Sequence, residues 1–300
     1  MRRVSAYTGP DEARSDLFLS GAAYVFGGTL FGILFSLTRL DRVAVLGSIL
    51  VLVLPLVTTV LVPVLLMRYR GDKLRDLGLG GADDSLLPGL LTALPVVAAA
   101  VVVPLLVGDS PLNVLPVVAM VRGGNFVGLA GLVLQWLGLS FLALYGTVKA
   151  RDAFRGFPQP IQDSAVRIGR VLGIVAGVAL VMIILASLSR LGGISVLALV
   201  AYPIGVAGAV LVALRVARGA ATAKLPSLLT PVVLLAIGPF ALTLDVTRLS
   251  FVLYEVALYG GIGLAIGVIV ERTQRGAGVL LLGLILALTT HLNSATNAAL

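Results

Sequence analysis

The chain has no cysteine, one histidine and one tryptophan in 300 residues, and only 12% of its residues are charged. The absence of cysteine excludes disulfides, thiolate metal sites and iron–sulfur clusters. A single histidine without cysteine holds a transition metal only together with several carboxylates or outside ligands. A soluble protein of this length needs far more charge to cover its surface in water. The composition therefore excludes an ordinary soluble domain.

Several enzyme motifs are also missing from the sequence. There is no Gly-x-x-x-x-Gly-Lys-Ser/Thr loop, which excludes a P-loop ATPase, and no His-Glu-x-x-His pair for zinc. A serine nucleophile that uses His291 lacks the Gly-x-Ser-x-Gly context that would support it. The sequence names no cofactor and no metal.

Hydrophobic residues make up 59% of the chain and occur in long runs. Runs of roughly 18 to 25 apolar residues are long enough to cross a bilayer as helices. The candidate spans are Leu17–Leu37, Val43–Met67, Leu86–Val107, Asn125–Val148, Arg167–Leu188, Ile194–Leu214, Pro226–Val246, Phe251–Val270 and Gly278–Asn297. We predict an all-α, polytopic transmembrane helix bundle of about nine spans, with residues 17–300 as one membrane domain.

Residues 1–16 are predicted to form a cytoplasmic N-terminal tail. This stretch carries Asp11, Glu12 and Asp16 beside its arginines and has no cleavage pattern before the first long apolar run. It is therefore expected to be retained and not removed as a signal peptide.

The net charge of +8 is distributed unevenly between the predicted loops. The tail and the even-numbered loops hold 17 of the 22 Lys and Arg residues, and the odd-numbered loops hold five. Because basic loops stay on the cytoplasmic side, this split predicts the N-terminus inside and the C-terminus outside. The excess charge is thus explained without nucleic acid. The expected location is the cell (cytoplasmic) membrane, and the expected partners are the lipid bilayer and another membrane protein or a peptide.

Four Gly-x-x-x-Gly pairs are predicted to mark surfaces where helices pack closely, because glycine lets two backbones approach. They are Gly28–Gly32, Gly124–Gly128, Gly173–Gly177 and Gly263–Gly267.

Three ionisable residues inside the predicted spans are weighed as site candidates: Asp245, Glu255 and His291. Such groups usually face the interior of a bundle, where they mark a functional site or a structural hydrogen bond. Glu255 shares an i, i+4 row with Tyr259 and with the Gly263–Gly267 pair, so it is expected to point at other helices. At 1.5 Å per residue, Glu255 and His291 lie about 8 Å and 9 Å below the outer surface. We therefore take Glu255 and His291 as the candidate catalytic residues, with structural hydrogen bonding as the alternative.

Two stretches resemble the CPBP family, which contains CAAX-type intramembrane proteases and bacteriocin-processing or immunity proteins. Residues Arg68–Leu79 are similar to the family's basic Arg-Gly…Leu-Gly-Leu linker between the second and third spans. The C-terminal part of the chain resembles the C-terminal part of family members. It has a Gly-rich helix, the Glu271-Arg-Thr turn, and a last helix that carries His291.

The resemblance implies a site of several carboxylates and histidines that activate water or bind a metal for peptide hydrolysis. Most of these residues are missing. In the best match to the Glu-Glu-x-x-x-Arg motif, Ala150 and Arg151 stand where the glutamates belong. Leu244 replaces the histidine of the Phe-x-x-x-His motif, and Ala295 replaces the last Asn/Asp, so His291 alone carries over.

These observations lead to three hypotheses about function. The first is a divergent CPBP-like membrane protein without the family's protease activity, which acts as a partner-binding or immunity-type component. The second is a transporter or permease subunit that uses intramembrane Glu255 and His291. The third is an intramembrane hydrolase with a non-standard site built from the same two residues.

Overall fold

The computed structural model describes residues 9–38, 53, 55–80, 84–106, 120–155, 160–187, 196–217, 225–242 and 249–289. Every regular element within these ranges is helical, and they contain no strand. The α-helices are α1 (Pro10–Thr38), α2 (Val62–Arg70), α3 (Leu86–Leu106), α4 (Phe126–Ala153), α5 (Ile161–Ser187), α6 (Val196–Val216), α7 (Leu225–Leu242), α8 (Leu249–Thr273) and α9 (Ala277–Thr289). A π-helical stretch, Val57–Leu61, precedes α2, and a 3-10 helix, Leu74–Leu77, follows it.

Three described helices are long and apolar enough to cross a membrane: Phe126–Ala153, Ile161–Leu185 and Leu249–Thr273. Shorter apolar helices cover Leu86–Val102, Val200–Val216, Leu225–Ile237 and Ala277–Thr289. The prediction of an all-α fold is confirmed for the described residues. The long apolar helices identify the chain as a helical membrane protein.

The helices differ greatly in how much of their surface the rest of the bundle covers. The most apolar 18-residue stretch of α8 is 89% buried, whereas the corresponding stretch of α5 is only 22% buried. Helix α8 packs against α4, α5, α6 and α7, and α4 packs against α1, α7 and α9 as well. Helix α8 is therefore central to the bundle, and α5 lies on its outside.

Contacts between helix ends gather several termini at one end of the bundle. Arg14, near the start of α1, donates through its Nε to the carbonyl of Ala153 at the end of α4, at 3.3 Å. The N–H of Gly278, at the start of α9, donates to the Ser85 hydroxyl just before α3, at 2.8 Å. We call the end of the bundle where α1, α3 and α9 begin and α4 ends the charged end. The described ion pairs between side chains lie at this end.

The packing prediction for the four Gly-x-x-x-Gly pairs holds for one pair. A Cβ on Gly263 would collide with the carbonyl oxygen of Pro231, so α8 and α7 touch backbone to backbone at this point. A Cβ on Gly173 or Gly177 would meet nothing within 4 Å, and the prediction is wrong for this pair within the described chain. The reason is the position of α5 on the outside of the bundle, where these glycines have no described helix to receive them.

The other two pairs do not confirm the prediction. A Cβ on Gly28 would meet no described atom within 4 Å, and the surroundings of Gly32 lie outside what the structure describes, so the prediction stays open for this pair. Gly124 takes a left-handed conformation, with φ of 66°, in the turn that precedes α4. The next residue, Asn125, caps α4 by accepting the Gly128 N–H through its side chain at 2.8 Å. The Gly124–Gly128 pair therefore serves to start a helix and not to pack two helices together.

Candidate functional site

Glu255 lies in the first half of α8 and points into the bundle, as predicted. Glu255 is 6% exposed. One turn further along, the ring of Tyr259 stacks on that of Trp136 from α4, with ring centres 5.5 Å apart and planes 6° from parallel. Glu255 therefore belongs to the same packed interior as the α4–α8 interface.

The second predicted site residue, His291, lies outside the described residues, as does Asp245. The meeting of Glu255 with His291 therefore stays a prediction. Among the residues that the structure does describe, no group of three or more His, Cys, Asp or Glu side chains is placed to hold a metal ion.

A cluster of buried charges lies at the charged end, and the sequence did not predict it as a site. Lys149, one turn before the end of α4, is 3% exposed. Its Nζ lies 2.5 Å from Asp72 Oδ2 and 3.1 Å from Asp16 Oδ2. The other oxygen of Asp16 accepts a hydrogen bond from Arg70 Nε at 3.2 Å. We call Asp16, Arg70, Asp72 and Lys149 the ion cluster.

The turn after α2 places two members of the ion cluster side by side. Gly71 ends the helix in a left-handed conformation, with φ of 76°, and its N–H donates to the carbonyls of Arg68 and Met67. The N–H of Asp72 donates to the Met67 carbonyl at 2.9 Å, which completes a Schellman-type ending. Arg70 and Asp72 therefore flank a tight glycine turn, and from there they reach Asp16 and Lys149 respectively.

The ion cluster joins three separate parts of the chain: the start of α1, the turn after α2 and the end of α4. Asp16 is fully buried, so its carboxylate needs charged or hydrogen-bonding neighbours to offset the cost of leaving water. The hydrogen bond with Asp16 in turn raises the pKa of the Arg70 guanidinium above its ordinary value. Two acids are thus balanced by two cations, and their oxygens are engaged in holding helices together. Such carboxylates are poorly suited to act as general bases.

A second set of contacts lies beside the ion cluster, where the turn between α8 and α9 meets the segment after α2. The Gly276 N–H donates to the Gly78 carbonyl at 3.3 Å. Arg275 donates through its Nη1 to the Gly80 carbonyl, also at 3.3 Å. Gln274 accepts a hydrogen bond from Arg151 of α4. The two CPBP-like stretches, 68–79 and the turn from 271, therefore lie next to each other and next to Arg151, which stands where the family has a glutamate.

Sequence reasoning missed the ion cluster because it counted these residues only as loop or tail charges. Asp16 was assigned to the tail, but α1 begins at Pro10, so Asp16 lies on a helix and is buried. One sequence signal was available. Asp16 and Lys149 stand at the ends of two apolar runs that the topology brings to the same side, and opposite charges in such positions are placed to pair.

Comparisons of the chain with family models, with curated proteins and with solved structures found no match.

Proposed function

We propose that the chain is a divergent CPBP-like protein that crosses the cell membrane about nine times and binds a partner on the cytoplasmic side without hydrolysing peptides. In this proposal the charged end, the N-terminus and the basic loops face the cytoplasm, and the C-terminus is outside. The positive-inside rule and the gathering of basic residues at one end support this orientation.

The observation that supports the proposal is the fixed conformation of residues 68–80, which we call the linker. Its inner side is anchored: Arg70 and Asp72 join the ion cluster, and Leu77 is buried in the core. A second left-handed glycine, Gly78, closes the 3-10 helix by donating to the Arg75 carbonyl at 2.9 Å. The linker is thus held in one conformation at both of its turns.

The outer side of the linker exposes both apolar and basic side chains. Tyr69 is 80% exposed and Leu74 is 54% exposed, and the exposed cations Lys73 and Arg75 lie next to Leu74. Aromatic residues and arginine are enriched where proteins bind each other, and a preformed surface avoids the entropic cost of ordering a loop on binding. The linker therefore suits a partner whose surface carries acidic and apolar groups.

Site-specific cross-linking tests the partner-binding role. A photoreactive amino acid in place of Tyr69, in native membranes, is expected to give one defined protein adduct, identified by mass spectrometry. The identified partner, once purified, is expected to bind the reconstituted protein, and Lys73→Glu with Arg75→Glu should weaken binding by about tenfold or more. The same probe at Phe18, which is 74% exposed on α1, is the control and should not give this adduct. Adducts to lipid alone at Tyr69 would contradict the proposal.

A peptidase assay tests the non-catalytic part separately. Pure protein in proteoliposomes is expected to leave prenylated and unprenylated peptides uncut, and His291→Ala is expected to change nothing. Peptide cleavage that His291→Ala abolishes would show that the site is catalytic.

A transporter is the second candidate, and the burial of Glu255 in the most covered span is what favours it. Glu255→Gln would then abolish a pH- or potential-dependent flux into proteoliposomes. Asp11→Asn is the matched control, because the Asp11 side chain is 94% exposed. A flux that survives Glu255→Gln unchanged would count against a role for this carboxylate.

A further inference from the structure

An apolar groove runs along the outside of the described bundle between α5, α6 and α8. Its volume is about 420 Å³, and it extends along α5 from Ala165 to Leu180. Val206 and Val210 of α6 and Leu258 of α8 form part of its wall. Of the described residues that line the groove, Arg170 alone carries a charge.

The groove is open where α5 carries its small residues. A Cβ on Gly173 or Gly177 would meet nothing within 4 Å, whereas one on Gly169, nearer the charged end, would contact Leu264 of α8 at 3.5 Å. Next to these glycines on α5, Ile174 is 61% exposed and Val178 is 54% exposed. Because α5 is long and apolar enough to span, this face is expected to lie against lipid.

The lining of the groove suits the acyl chain of a lipid. Apart from Arg170, the described lining residues are apolar or glycine, and the groove opens on a face that is expected to lie against lipid. Acyl chains are therefore the apolar groups that surround the groove in a bilayer.

Arg170 lines the part of the groove that is nearer the charged end. It lies nine residues after the start of α5, which is about 13 Å along the helix axis, and it is exposed. No described acidic side chain forms an ion pair with it. A guanidinium on the lipid-facing side is costly without an anion, and its long stem lets it reach toward the membrane surface. The phosphate of a lipid head group is the anion present at that surface.

We propose that this groove binds one anionic phospholipid, with an acyl chain along Gly173 and Gly177 and the head-group phosphate on Arg170. The site is separate from the linker and does not depend on the partner-binding proposal. It gives a reason for the open glycines, since side chains at these positions would close the groove to the acyl chain.

Native mass spectrometry of the full-length protein in detergent tests the site, with phosphatidylglycerol and phosphatidylcholine of identical acyl chains as probes. One phosphatidylglycerol per chain is expected to be retained in preference to phosphatidylcholine. Arg170→Gln should weaken phosphatidylglycerol binding by about tenfold or more, because a charge-assisted hydrogen bond is lost. Gly177→Leu should abolish the binding of both lipids by filling the groove, and Gly173→Leu provides a second variant with the same expectation.

Two matched controls separate the groove from general surface effects. Arg167→Gln removes an exposed arginine from the same helix that does not line the groove, and Gly28→Leu adds a side chain at another open glycine, on α1. Both should retain the lipid. Equal retention of the two lipids by the wild type, equal losses in Arg167→Gln and Arg170→Gln, or lipid retained in both leucine variants would overturn the proposal. Dissociation of an oligomer by Gly177→Leu would also overturn it, because the groove would then be a subunit interface.

Discussion

Lys149 and Arg170 are both cations on long apolar helices, and their surroundings are opposite. Lys149 is 3% exposed and lies between two carboxylates of the same chain. Arg170 is exposed beside an apolar groove, and no described acid pairs with it. The charged end is therefore a region whose polar groups satisfy one another. On the flank of α5, the cation has no described ion-pair partner and the glycines have no described neighbour within 4 Å.

The glycine pairs show the same contrast. Gly263 touches the backbone of α7, whereas a Cβ on Gly173 or Gly177 would meet no described atom within 4 Å. A Gly-x-x-x-Gly spacing thus indicates that another helix can approach this surface closely. It does not show that a helix of the same chain packs there. If the two regions differ as described, substitutions at the charged end and in the interior should destabilise the protein, and substitutions along the groove should not.

The largest loss is expected from Lys149→Met, which keeps an aliphatic chain but leaves Asp16 and Asp72 buried without their shared cation. Breaking a buried ion pair on one side costs about 3–5 kcal/mol. Thermal unfolding in detergent, followed by circular dichroism, measures the loss. Lys73→Met on the exposed linker is the control and should stay within about 0.5 kcal/mol. Adding Asp16→Asn and Asp72→Asn to Lys149→Met should recover part of the stability. An unchanged melting temperature in Lys149→Met would show that the ion cluster does not hold the helices together.

The next largest loss is expected from Gly263→Ala, because the added Cβ collides with the Pro231 carbonyl and forces α7 and α8 apart. Overpacking of this kind costs about 1–3 kcal/mol. The fluorescence of Trp136, the single tryptophan of the chain, reports on the adjoining α4–α8 interface during unfolding. Gly173→Ala makes the same change in open space and should leave the melting temperature unchanged. Equal effects of the two alanine variants would remove the distinction between the glycine pairs.

A smaller loss is expected from Ser85→Ala, which removes the acceptor of the Gly278 N–H at the start of α9. A buried N–H without its acceptor costs about 1–2 kcal/mol. Thr29→Val is the control, because the Thr29 hydroxyl donates to the Val25 carbonyl within its own helix, and its loss should cost less. Hydrogen exchange at the first turn of α9 should rise in Ser85→Ala and stay unchanged in Thr29→Val. Unchanged exchange in both would show that the cap from Ser85 contributes little.

The smallest effect on stability is expected from Gly177→Leu, because its side chain enters the open groove and displaces no part of the protein. In delipidated protein its free energy of unfolding should stay within about 0.5 kcal/mol of the wild type, in line with surface substitutions generally. A loss as large as that of Gly263→Ala would mean that the flank of α5 is packed, and the comparison between the two regions would fail.

Much of the fold could be predicted from the sequence, and the site could be predicted only in part. Long apolar runs predicted helices, because a backbone surrounded by lipid must satisfy its own hydrogen bonds. The inward direction of Glu255 followed from its i, i+4 row with Tyr259 and Gly263. The ion cluster was not predicted, because its members are separated by 54 and 77 residues along the chain and resemble ordinary loop charges. The pairing of Glu255 with His291 stays a prediction.

The sequence by itself determined that this is a helical membrane protein, and it predicted which side carries the positive charge. Both follow from the cost of placing polar groups in hydrocarbon, which depends on composition and run length. Only the tertiary structure decided which glycines touch a neighbouring helix and which cation is paired. These properties depend on how the helices are arranged around α8, and the spacing of residues within one helix is the same whether that helix lies inside the bundle or at its edge.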